Sequence, residues 1–374
     1  MTPIAGATLL GMALATALAL LGGALLVALR RGAAPVLPPP LADPPPTLAL
    51  LPMRDEEANA VDCATAVLTQ TARPRVRVID DGSRDRTVER LRALQADQPR
   101  LELLAADPLP PGWRGKVNAL ATGARGAAEP WLLLVDADAR LEPELLARAH
   151  AALAAHRLDA LSVAGEQAAG SFGEALLVPA VFGLLDGLLG DWRRAASGDG
   201  PPVASGTFVL VRRAALEASG GFAAIRAATI DDVALFRSLR AHGHRTAFWR
   251  AQDLLRVRMY DGVGAAIAGW RRNFGAIFAG RPLAAAVGLL ACFLPAATLV
   301  ATLFAGAGLA AATLWLGGAL ASALLRATGR SRLWPALLYP LGGLLLGATL
   351  ALGLADRRRG ALTRWKGREI RLES

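Results

Sequence analysis

The sequence has 374 residues, a formal net charge of +10 and a hydrophobic fraction of 53%, with a mean hydropathy of +0.37. A chain of this length forms one large domain or two, but its hydropathy excludes an ordinary water-soluble enzyme and indicates membrane segments. Arginine carries almost all of the positive charge, because Lys116 and Lys366 are the only lysines. With this hydrophobicity, the charge favours an anionic membrane surface or an anionic nucleotide over nucleic acid as the partner.

The chain begins with an apolar run over residues 4–29 that is followed by Arg30 and Arg31. Its length is sufficient to cross a bilayer, so residues 1–31 are predicted to form a transmembrane anchor with its C-terminal side in the cytoplasm. A signal peptide is the alternative, but no basic residue precedes the run and no clear cleavage site follows it. Residues 32–46 are rich in proline and predict a stiff extended linker.

Residues 47 to about 250 alternate between apolar strands and amphipathic helices. This alternation predicts an α/β domain with a mostly parallel sheet that is covered by helices on both faces. The predicted strands are 47–52, 75–80, 101–106, 131–136, 159–165 and 203–213, and the predicted helices are 56–70, 84–97, 116–128 and 143–156. In such sheets, ligands bind at the carboxyl ends of the strands.

The second half of the chain contains further apolar segments. Residues 172–192 are apolar but contain Glu174, Pro179 and Asp186, which suits an interfacial helix better than a spanning one. Residues 283–325 and 333–355 fit two or three membrane spans. The distribution of basic residues indicates that one of these tracts is a hairpin or a re-entrant piece. The predicted domains are therefore a cytosolic α/β domain over 47–281, two or three transmembrane segments over 282–355 and a basic cytosolic tail over 356–374.

Two carboxylates follow the strand 131–136 directly. Asp136 and Asp138 are separated only by Ala137, and in extended geometry residues i and i+2 point to the same side. Such a pair suits Mg²⁺ or Mn²⁺, which are held by one or two carboxylates together with substrate phosphates. The alternative is the acidic N-terminus of a helix.

Two earlier strand ends carry the same kind of residue. "LPMRDEEAN" contains Arg54 and Glu56, and "VIDDGSRDRT" contains Asp80 and Asp81. These four side chains are predicted to contact the base and ribose of a nucleotide by hydrogen bonds. A strand–turn–helix connection, with Gly82 in the turn and a capped helix after it, explains the second motif equally well.

Lys116 follows two glycines in "PLPPGWRGK" and lies at the predicted start of a helix. The glycines let the backbone approach a phosphate closely, and a helix N-terminus attracts anions. Lys116 is therefore a candidate ligand of a diphosphate; a solvated lysine at a helix start is the alternative.

At this point the chain resembles a known family. "LPMRDEEA", "VIDDGSRDRT", "PLPPGWRGKVNAL", "LLLVDADAR" and "TIDDVALFRSLRAHG" resemble, in order and spacing, the motifs of inverting family 2 glycosyltransferases with the GT-A nucleotide-sugar-binding fold. The resemblance covers residues 47 to about 275. "SGTFVLVRRAALEASGGF", "RMYDGVGAAIAGWRRNFGA" and the terminal "WKGRE" resemble the membrane-bound branch that includes hopene-associated and carotenoid (diaponeurosporenoate) glycosyltransferases.

The resemblance implies a nucleotide-diphosphate sugar donor and a divalent metal, Mg²⁺ or Mn²⁺, at Asp136 and Asp138. It also implies that Asp232 is the catalytic base and that Asp231 stands where the family usually has Glu. The alternative is a helix N-cap followed by an acid in the first turn. An inverting transfer needs a base for the acceptor proton and charge stabilisation of the departing diphosphate. The nucleotide-sugar site would comprise Pro52, Arg54, Glu56, Asp80, Asp81, Lys116, Asp136, Ser205 and Gly206, although Ser205 also fits a plain turn.

The Q-x-x-R-W motif of processive polysaccharide synthases is absent, and "AGWRRNF" (268–274) stands in its place. This difference favours a single transfer over polymer extrusion. The mixture of aromatic and basic residues suits a membrane interface. The predicted acceptor and membrane interface comprises Trp113, Trp270, Arg271, Arg272 and Asn273, and Trp365 and Lys366 are either part of the same function or plain interfacial anchors.

The sequence therefore predicts a multi-pass protein of the cell inner membrane with its catalytic domain in the cytoplasm. Its predicted activity is the transfer of one sugar from a nucleotide-diphosphate sugar to a lipid acceptor of terpenoid type, with no nucleic-acid partner. The alternatives are a transferase that acts on polyprenyl phosphate and a membrane scaffold whose glycosyltransferase domain is inactive.

Overall fold

A computed structural model describes residues 3–188, 190, 192–365 and 368–371. The chain divides into two compact units. The sheet unit comprises residues 34–166 and 192–257, and the membrane unit comprises residues 1–33, 167–191 and 258–374. Each unit is described by itself.

The strands of the described residues are short, and most of their residues are buried. In chain order they are β1 (Thr47–Met53), β2 (Arg75–Asp80), β3 (Leu101–Ala105), β4 (Trp131–Leu134), β5 (Ala139–Leu141), β6 (Ala160–Ala164), β7 (Glu166–Gln167), β8 (Val209–Arg212), β9 (Thr246–Arg250), β10 (Leu255–Val257), β11 (Leu362–Trp365) and β12 (Arg368–Arg371).

The helices differ in length between the two units, and the four longest all belong to the membrane unit. In chain order the α-helices are α1 (Pro3–Gly32), α2 (Ala60–Leu68), α3 (Thr87–Ala96), α4 (Gly115–Ala124), α5 (Leu145–His156), α6 (Phe172–Leu188), α7 (Trp192–Ser197), α8 (Arg213–Ala218), α9 (Asp231–Ala241), α10 (Val263–Ile277), α11 (Pro282–Phe304), α12 (Gly308–Thr328) and α13 (Tyr339–Arg358). Two 3₁₀ helices cover Phe222–Ile225 and Trp334–Leu338.

The sheet unit is built on a seven-stranded sheet with the order β3-β2-β1-β4-β8-β6-β9. β1, β2, β3 and β4 are parallel, β8 is antiparallel to both β4 and β6, and β9 is parallel to β6. β5 pairs with β10 in a separate small antiparallel sheet. The prediction of an α/β protein with a mostly parallel sheet is confirmed.

The apolar strands form this sheet because their side chains are buried. Leu48, Leu50 and Ile79 have no exposed surface, and they share a core cluster with Phe236 and Leu239 of α9. Strands that are apolar along their whole length are typical of a sheet with both faces covered. Arg77 is an exception inside β2, where it pairs with Glu102 of β3 at 2.6 Å.

The membrane unit contains four described helices that are long and apolar enough to span a bilayer: Ile4–Gly32, Pro282–Phe304, Gly308–Thr328 and Trp334–Arg358. The apolar tract 283–325 thus forms two helices. They are separated by a turn at Gly306, whose φ of +67° lies in the region that favours glycine.

Buried arginines make polar contacts between helices of the membrane unit. Arg31 of α1 contacts the Asp186 carboxylate of α6 at 2.7 Å and donates to the Leu325 carbonyl of α12 at 2.7 Å. Arg326 donates to the Ala175 carbonyl at 2.8 Å. A buried charge is costly unless it is paired and hydrogen-bonded, so these contacts fix which helix ends lie together.

One difference from the predicted elements has a clear physical reason. The strand predicted over 203–213 is formed only at Val209–Arg212, because the preceding residues form a loop that hydrogen-bonds to other segments. Residues 167–191 and 258–281 cluster with the apolar helices. The domain boundaries as a whole stay a prediction, and Lys366 lies outside the described residues.

Candidate active site

A pocket at the carboxyl end of β4 and the start of β8 brings together residues from six separate segments of the sheet unit. The polar and loop residues that line it are Pro52, Lys116, Asp136, Gly206, Asp231 and Asp232. The sequence predicted all six as site residues; their individual roles stay predictions.

The strand order explains how these segments meet. β4 runs parallel to β1 and leads into Asp136 at its carboxyl end. β8 is antiparallel to β4, with Leu134 opposite Val209. The residues that precede β8 therefore lie at the same edge of the sheet as those that follow β4, which places Gly206 beside Asp136.

Lys116 lies between two carboxylates in this pocket. Its Nζ is 2.8 Å from Oδ1 of Asp136 and 3.1 Å from Oδ2 of Asp231. Burial alone would lower the pKa of Lys116, but the two aspartates raise it above its usual range, so the side chain is a fixed positive charge. Lys116 is in the first turn of α4, yet it is an ion-paired residue of the pocket and not a solvated helix-start lysine.

Asp232 is in the first turn of α9 and uses both of its carboxylate oxygens. Oδ1 accepts the N–H of Val233 at 2.7 Å, as expected of an acid at a helix start, and Oδ2 accepts the N–H of Gly206 at 2.6 Å. Burial and the neighbouring charge of Asp231 raise the pKa of Asp232. A carboxylate with a raised pKa is a stronger base than an exposed one.

Gly206 is the residue that allows this close packing. A Cβ atom at this position would lie 2.7 Å from Nζ of Lys116 and 2.8 Å from Oδ2 of Asp136. The space that a side chain would fill is therefore the space in which the lysine and the aspartate meet.

The residues present fit a divalent cation at Asp136 and Asp138, although the donor set is incomplete. Oδ1 of Asp138 is buried and has no hydrogen-bond partner among the described residues. Burial and the nearby charges of Asp136 and Glu56 raise the pKa of Asp138, and the positive charge of Lys116 opposes them. No group of three or more His, Cys, Asp or Glu side chains in the described part of the chain forms a complete metal site. Two carboxylates complemented by substrate phosphates and water are the usual ligands of Mg²⁺.

The Asp136–Asp138 loop is not a helix start. It is followed by β5, and α5 begins only at Leu145. Arg140 holds the loop, since it donates to the Ala137 carbonyl at 3.1 Å and to Oδ1 of Asn59 at 3.0 Å. Sequence reasoning missed Arg140; its position two residues after Asp138 was the only available signal.

The Asn59 side chain extends this support to the first strand end. Its Nδ2 donates to Oε2 of Glu56 at 3.0 Å, and its Oδ1 accepts from Arg140. Glu56 is thereby connected to the Asp136–Asp138 loop through two hydrogen bonds. The amide is suited to this place because it donates and accepts at once.

Asp80 makes contacts within its own loop, whereas Asp81 contacts Arg54, which follows β1. The Asp80 carboxylate accepts the N–H groups of Gly82 at 3.3 Å and Ser83 at 3.1 Å. Arg54 donates to the Asp81 carbonyl at 2.6 Å, and its Nη1 lies 3.9 Å from the Asp81 carboxylate. The strand–turn–helix interpretation therefore describes the present contacts of Asp80, and contact of Asp80 and Asp81 with a nucleotide stays a prediction.

The loop before β8 is held by a buried serine that sequence reasoning did not identify. Ser162 of β6 accepts the N–H of Ser205 at 2.8 Å and donates to the Ser205 carbonyl at 3.1 Å. The Ser205 hydroxyl bonds to Thr207 at 2.9 Å. Phe222 and Ile225 of the 3₁₀ helix supply an apolar wall of the pocket; an apolar segment without periodicity gave no signal for that role.

The predicted acceptor residues do not all belong to one unit. Trp113 is in the sheet unit, where it packs against the core cluster. Trp270, Arg271, Arg272 and Asn273 are in α10 of the membrane unit. Arg271 forms an ion pair with the Asp356 carboxylate of α13, with Nη2 and Oδ1 at 2.6 Å. Arg271 is thus part of a helix–helix contact.

Comparison with known families gives one match. Residues 44–258 match the family described as "Glycosyltransferase like family 2", which is more than half of the 374 residues. A comparison with curated proteins finds no match.

Solved structures show the fold. The mannosyltransferase PcManGT from Pyrobaculum calidifontis, in complex with GDP-Man and Mn²⁺, is similar with a TM-score of 0.61 and 22% identity, over 93% of this chain and 98% of that chain. At this identity the likeness concerns the fold, and the predicted GT-A fold is confirmed.

Two further structures are more distant. TarS 1-349 from S. aureus, in complex with UDP-GlcNAc, has a TM-score of 0.43 and 15% identity, over 87% of this chain and 96% of that chain. Glucosyl-3-phosphoglycerate synthase from Mycobacterium tuberculosis, in complex with Mn²⁺, UDP and glucosyl-3-phosphoglycerate, has a TM-score of 0.40 and 15% identity, over 63% of this chain and 79% of that chain. These scores are too low for either structure to inform the site.

Proposed function

We propose that this chain, which belongs to the family described as "Glycosyltransferase like family 2", is a membrane-bound inverting glycosyltransferase. It moves one sugar from a nucleotide-diphosphate sugar to a lipid acceptor. The observation that carries the proposal is the pocket in which Lys116, Asp136, Gly206, Asp231 and Asp232 meet.

The donor diphosphate is expected beside Lys116 and the start of α4. The Lys116 ammonium attracts phosphate oxygens, and the free N–H groups of a helix N-terminus favour the same negative charge. Asp136 and Asp138 would hold a divalent ion, which when bound supplies charge neutralisation of the departing diphosphate. The Gly206 backbone leaves the room in which these groups converge.

Asp232 is proposed as the general base. In an in-line displacement, the acceptor oxygen forms a bond to the anomeric carbon while the bond from that carbon to the diphosphate oxygen breaks. The hydroxyl proton passes to the Asp232 carboxylate, and the nucleoside diphosphate leaves with the electron pair of the broken bond. Asp232 is held for this role by the N–H groups of Gly206 and Val233, which fix the carboxylate without neutralising it.

The lipid acceptor is supported by the four apolar helices that are long enough to span a bilayer. Together with the motifs shared with the hopene-associated and carotenoid branch, they favour a terpenoid-type acceptor. Arg30 and Arg31 at the end of α1 favour an orientation with the sheet unit in the cytoplasm. We place the protein in the cell inner membrane on this basis.

The test is a screen of nucleotide sugars against the full chain in lipid nanodiscs, with Mn²⁺ or Mg²⁺ and a total lipid extract. Mass spectrometry of the lipids should show one product whose mass increases by one sugar residue. Release of the nucleoside diphosphate, measured in parallel, should accompany it in equal amount. A protein that releases no nucleoside diphosphate from any donor, with or without lipid, contradicts the proposal.

A further inference from the structure

Helices α1, α11 and α12 of the membrane unit form a bundle with arginines at one end. Ala17 of α1 packs against α12, where a Cβ atom at Gly317 would lie 2.5 Å from that of Ala17. Arg31, near the end of α1, donates to the Leu325 carbonyl near the end of α12 at 2.7 Å. These two helices therefore run in the same direction, and we name their shared terminus the basic end. α11 is joined to α12 by the short turn at Gly306, as in an αα-hairpin, so it runs in the opposite direction and begins at the basic end.

After α12 the chain turns back into this bundle. The N–H of Ser331 donates to the Arg326 carbonyl at 2.8 Å, so this residue still lies at the basic end. A few residues later, the Leu337 carbonyl accepts the indole N–H of Trp315 at 3.1 Å. Trp315 precedes Arg326 in α12 by about three helical turns, or about 16 Å. The segment from Ser331 to Leu337 therefore leads inwards from the basic end.

The next helix, α13, begins near the middle of the bundle. The ring of Tyr339 occupies the space in which a side chain at Gly318 would lie, and its hydroxyl donates to the Leu314 carbonyl at 3.2 Å. One turn later, a Cβ atom at Gly343 would lie 3.1 Å from the Cys292 carbonyl oxygen. Gly318 and Cys292 are the central residues of α12 and α11, each roughly 15 Å from the nearer end of its helix.

The later turns of α13 contact residues nearer to the start of α11, and then residues that precede it. A side-chain carbon of Leu350 lies 3.3 Å from the position of a Cβ atom at Gly288. Arg357 donates to the Gly275 carbonyl of α10 at 3.3 Å. Since α11 begins at the basic end, α13 runs from the middle of the bundle back towards that end.

The far half of the bundle, towards the Gly306 turn, is packed without α13. The buried members of its core cluster come from α1, α12 and the residue before α12: Ala13, Ala17, Ala307, Ala310 and Leu314. Within the part of the chain that the structure describes, residues 333–358 add nothing to this cluster. Leu346 and Leu350 of α13 belong instead to the cluster that also includes residues of α6, α10 and α11.

The segment has an apolar surface where it lies deep in the bundle and basic residues on both sides. Three of its leucines have more than half of their surface exposed: Leu333, Leu337 and Leu341. Arg330 and Arg332 precede it, and Arg357–Arg359 end it. Exposed leucines at this depth suit lipid, whereas basic residues collect on one face of a membrane. A crossing would separate these arginines, and a segment that returns keeps them together.

The backbone of the entering arm meets the requirement that a bilayer imposes. In lipid, a backbone polar group must be satisfied within the protein, because no water is present. Trp334–Leu338 form a 3₁₀ helix, and the Trp315 indole satisfies the Leu337 carbonyl near its end. Pro335 and Pro340 have no N–H that would need a partner at the starts of the two helices.

We infer that residues 329–358 form a re-entrant hairpin that enters and leaves the bilayer at the basic end and contacts the lipids of that leaflet. Three of the four candidate spans, α1, α11 and α12, then cross the bilayer. Ala361, which follows α13, lies on the same face as Ala33, which follows α1. The contacts thus assign the tract that the basic residues alone left open, and the hairpin does not depend on the proposed function.

The experiment labels single cysteines with a membrane-impermeant maleimide, in spheroplasts and in inverted membrane vesicles of bacteria that express the full chain. Cys63→Ala and Cys292→Ala remove the native thiols, both of which are buried. Ala33→Cys then marks the basic end, Ala305→Cys marks the opposite turn, and Ala361→Cys marks the chain after α13. We expect Ala33→Cys and Ala361→Cys to be labelled in the same preparation, and Ala305→Cys to be labelled only in the other.

The matched comparison is between Ala361→Cys and Ala305→Cys, because both replace an alanine with a cysteine. Each variant must react fully after the membrane is solubilised, which shows that its thiol is present. Arg358→Cys, at an exposed position, replaces Ala361→Cys if that variant does not fold. Labelling of the position after α13 in the same preparation as Ala305→Cys would overturn the inference, because α13 would then cross the bilayer.

A spin label at Leu337→Cys tests whether the hairpin lies in lipid. Oxygen is enriched in the bilayer, so it should relax this label more strongly than a water-soluble nickel complex does. The order should be reversed for a label at Ala361→Cys. Stronger relaxation by nickel at both positions would place the hairpin in water and overturn the inference. Neither experiment measures sugar transfer, so an absence of transferase activity would contradict the proposed function alone.

Discussion

Two groups of acidic residues lie at strand ends of the same sheet, and their carboxylates are partnered in opposite ways. Asp80 accepts two N–H groups of its own turn, and Asp81 lies beside Arg54. In the pocket, Asp136 faces Lys116, which belongs to a distant segment, and an oxygen of Asp138 has no partner in the described residues. In the sequence, the two groups look alike. The presence of a carboxylate at a strand end is therefore not enough to identify a site. The partner of the carboxylate distinguishes an acid that forms a loop from an acid that is open to a substrate.

The difference follows from chain topology. The turn after β2 is local, so the N–H groups nearest to Asp80 are those of its own loop. The pocket is assembled from segments that precede β8, follow β4 and begin α9. The N–H of Val233 satisfies one oxygen of Asp232 locally, whereas Asp136 and Asp231 meet Lys116 of another segment. Concentrated negative charge is costly unless a cation is nearby. Lys116 supplies one positive charge, and a divalent ion would supply more.

The largest expected effect in this comparison is that of Asp232→Asn. The amide oxygen can still accept the N–H of Gly206, but an amide cannot take up the proton of the acceptor. We expect sugar transfer to fall by about 10²–10⁴-fold, with nucleotide-sugar binding retained. Steady-state transfer and equilibrium binding of the nucleotide sugar measure the two quantities separately.

The control for this variant is Asp159→Asn. Asp159 is in the sheet unit, pairs with Arg212 at 3.1 Å and lies outside the pocket, so the same chemical change should leave transfer unaltered. If Asp232→Asn transferred sugar at the wild-type rate, Asp232 would not be the base. The proposed difference between the two acidic groups would then not hold.

Asp138→Asn tests whether the unpartnered carboxylate oxygen of Asp138 binds a metal ion. Replacement of one of two carboxylates should weaken Mn²⁺ binding about 10- to 100-fold, because the amide is a weaker and neutral ligand. Electron paramagnetic resonance of free Mn²⁺, titrated with protein, measures this binding directly. In the wild type, EDTA should abolish transfer, and added Mn²⁺ or Mg²⁺ should restore it. Undiminished transfer in EDTA would show that the pocket acts without a metal.

A smaller effect is expected from Gly206→Ala. The added methyl would approach Nζ of Lys116 and Oδ2 of Asp136 to within 2.8 Å, so the lysine must move away from the aspartate. Since Lys116 is proposed to bind the diphosphate, we expect about a tenfold loss of transfer efficiency, mostly as a raised donor KM. Gly22→Ala is the control, because no atom lies within 4 Å of its added Cβ. Equal kinetics of both variants would show that Lys116 does not need its present position.

Much of the sheet unit could be predicted from the sequence, because apolar strands and amphipathic helices have distinct periods. β2 was predicted with its observed bounds, Arg75–Asp80. The strand predicted over 203–213 was too long, since Ser162 and Asp232 bind the backbone of the residues before Val209. Local patterns cannot reveal bonds made by residues that are distant in the chain.

The pocket residues were predicted as a set, but their partners were not. Arg140 supports the Asp136–Asp138 loop through a carbonyl and a side-chain amide, and neither contact leaves a mark in the sequence. The paired position of Lys116 was also unforeseen, because it depends on the strand order. The chemistry that a residue can perform is predictable from its type in the sequence. Its contacts are known only once the fold is known.

The smallest expected effect concerns Asp80, in the turn after β2. Asp80→Ala removes the acceptor of the Gly82 and Ser83 N–H groups, which should lower the free energy of unfolding by about 1 kcal/mol. If the loop also faces the nucleotide, the donor KM should rise a few-fold while kcat changes little, because no proton or leaving group is handled there. Asp159→Ala loses a comparable bond, from the N–H of Arg245 at 3.1 Å, and should lower stability without changing the donor KM. If kcat fell as much as in Asp232→Asn, the turn would take part in the chemistry. Hydrogen bonding within the loop would then not distinguish the two groups of acids.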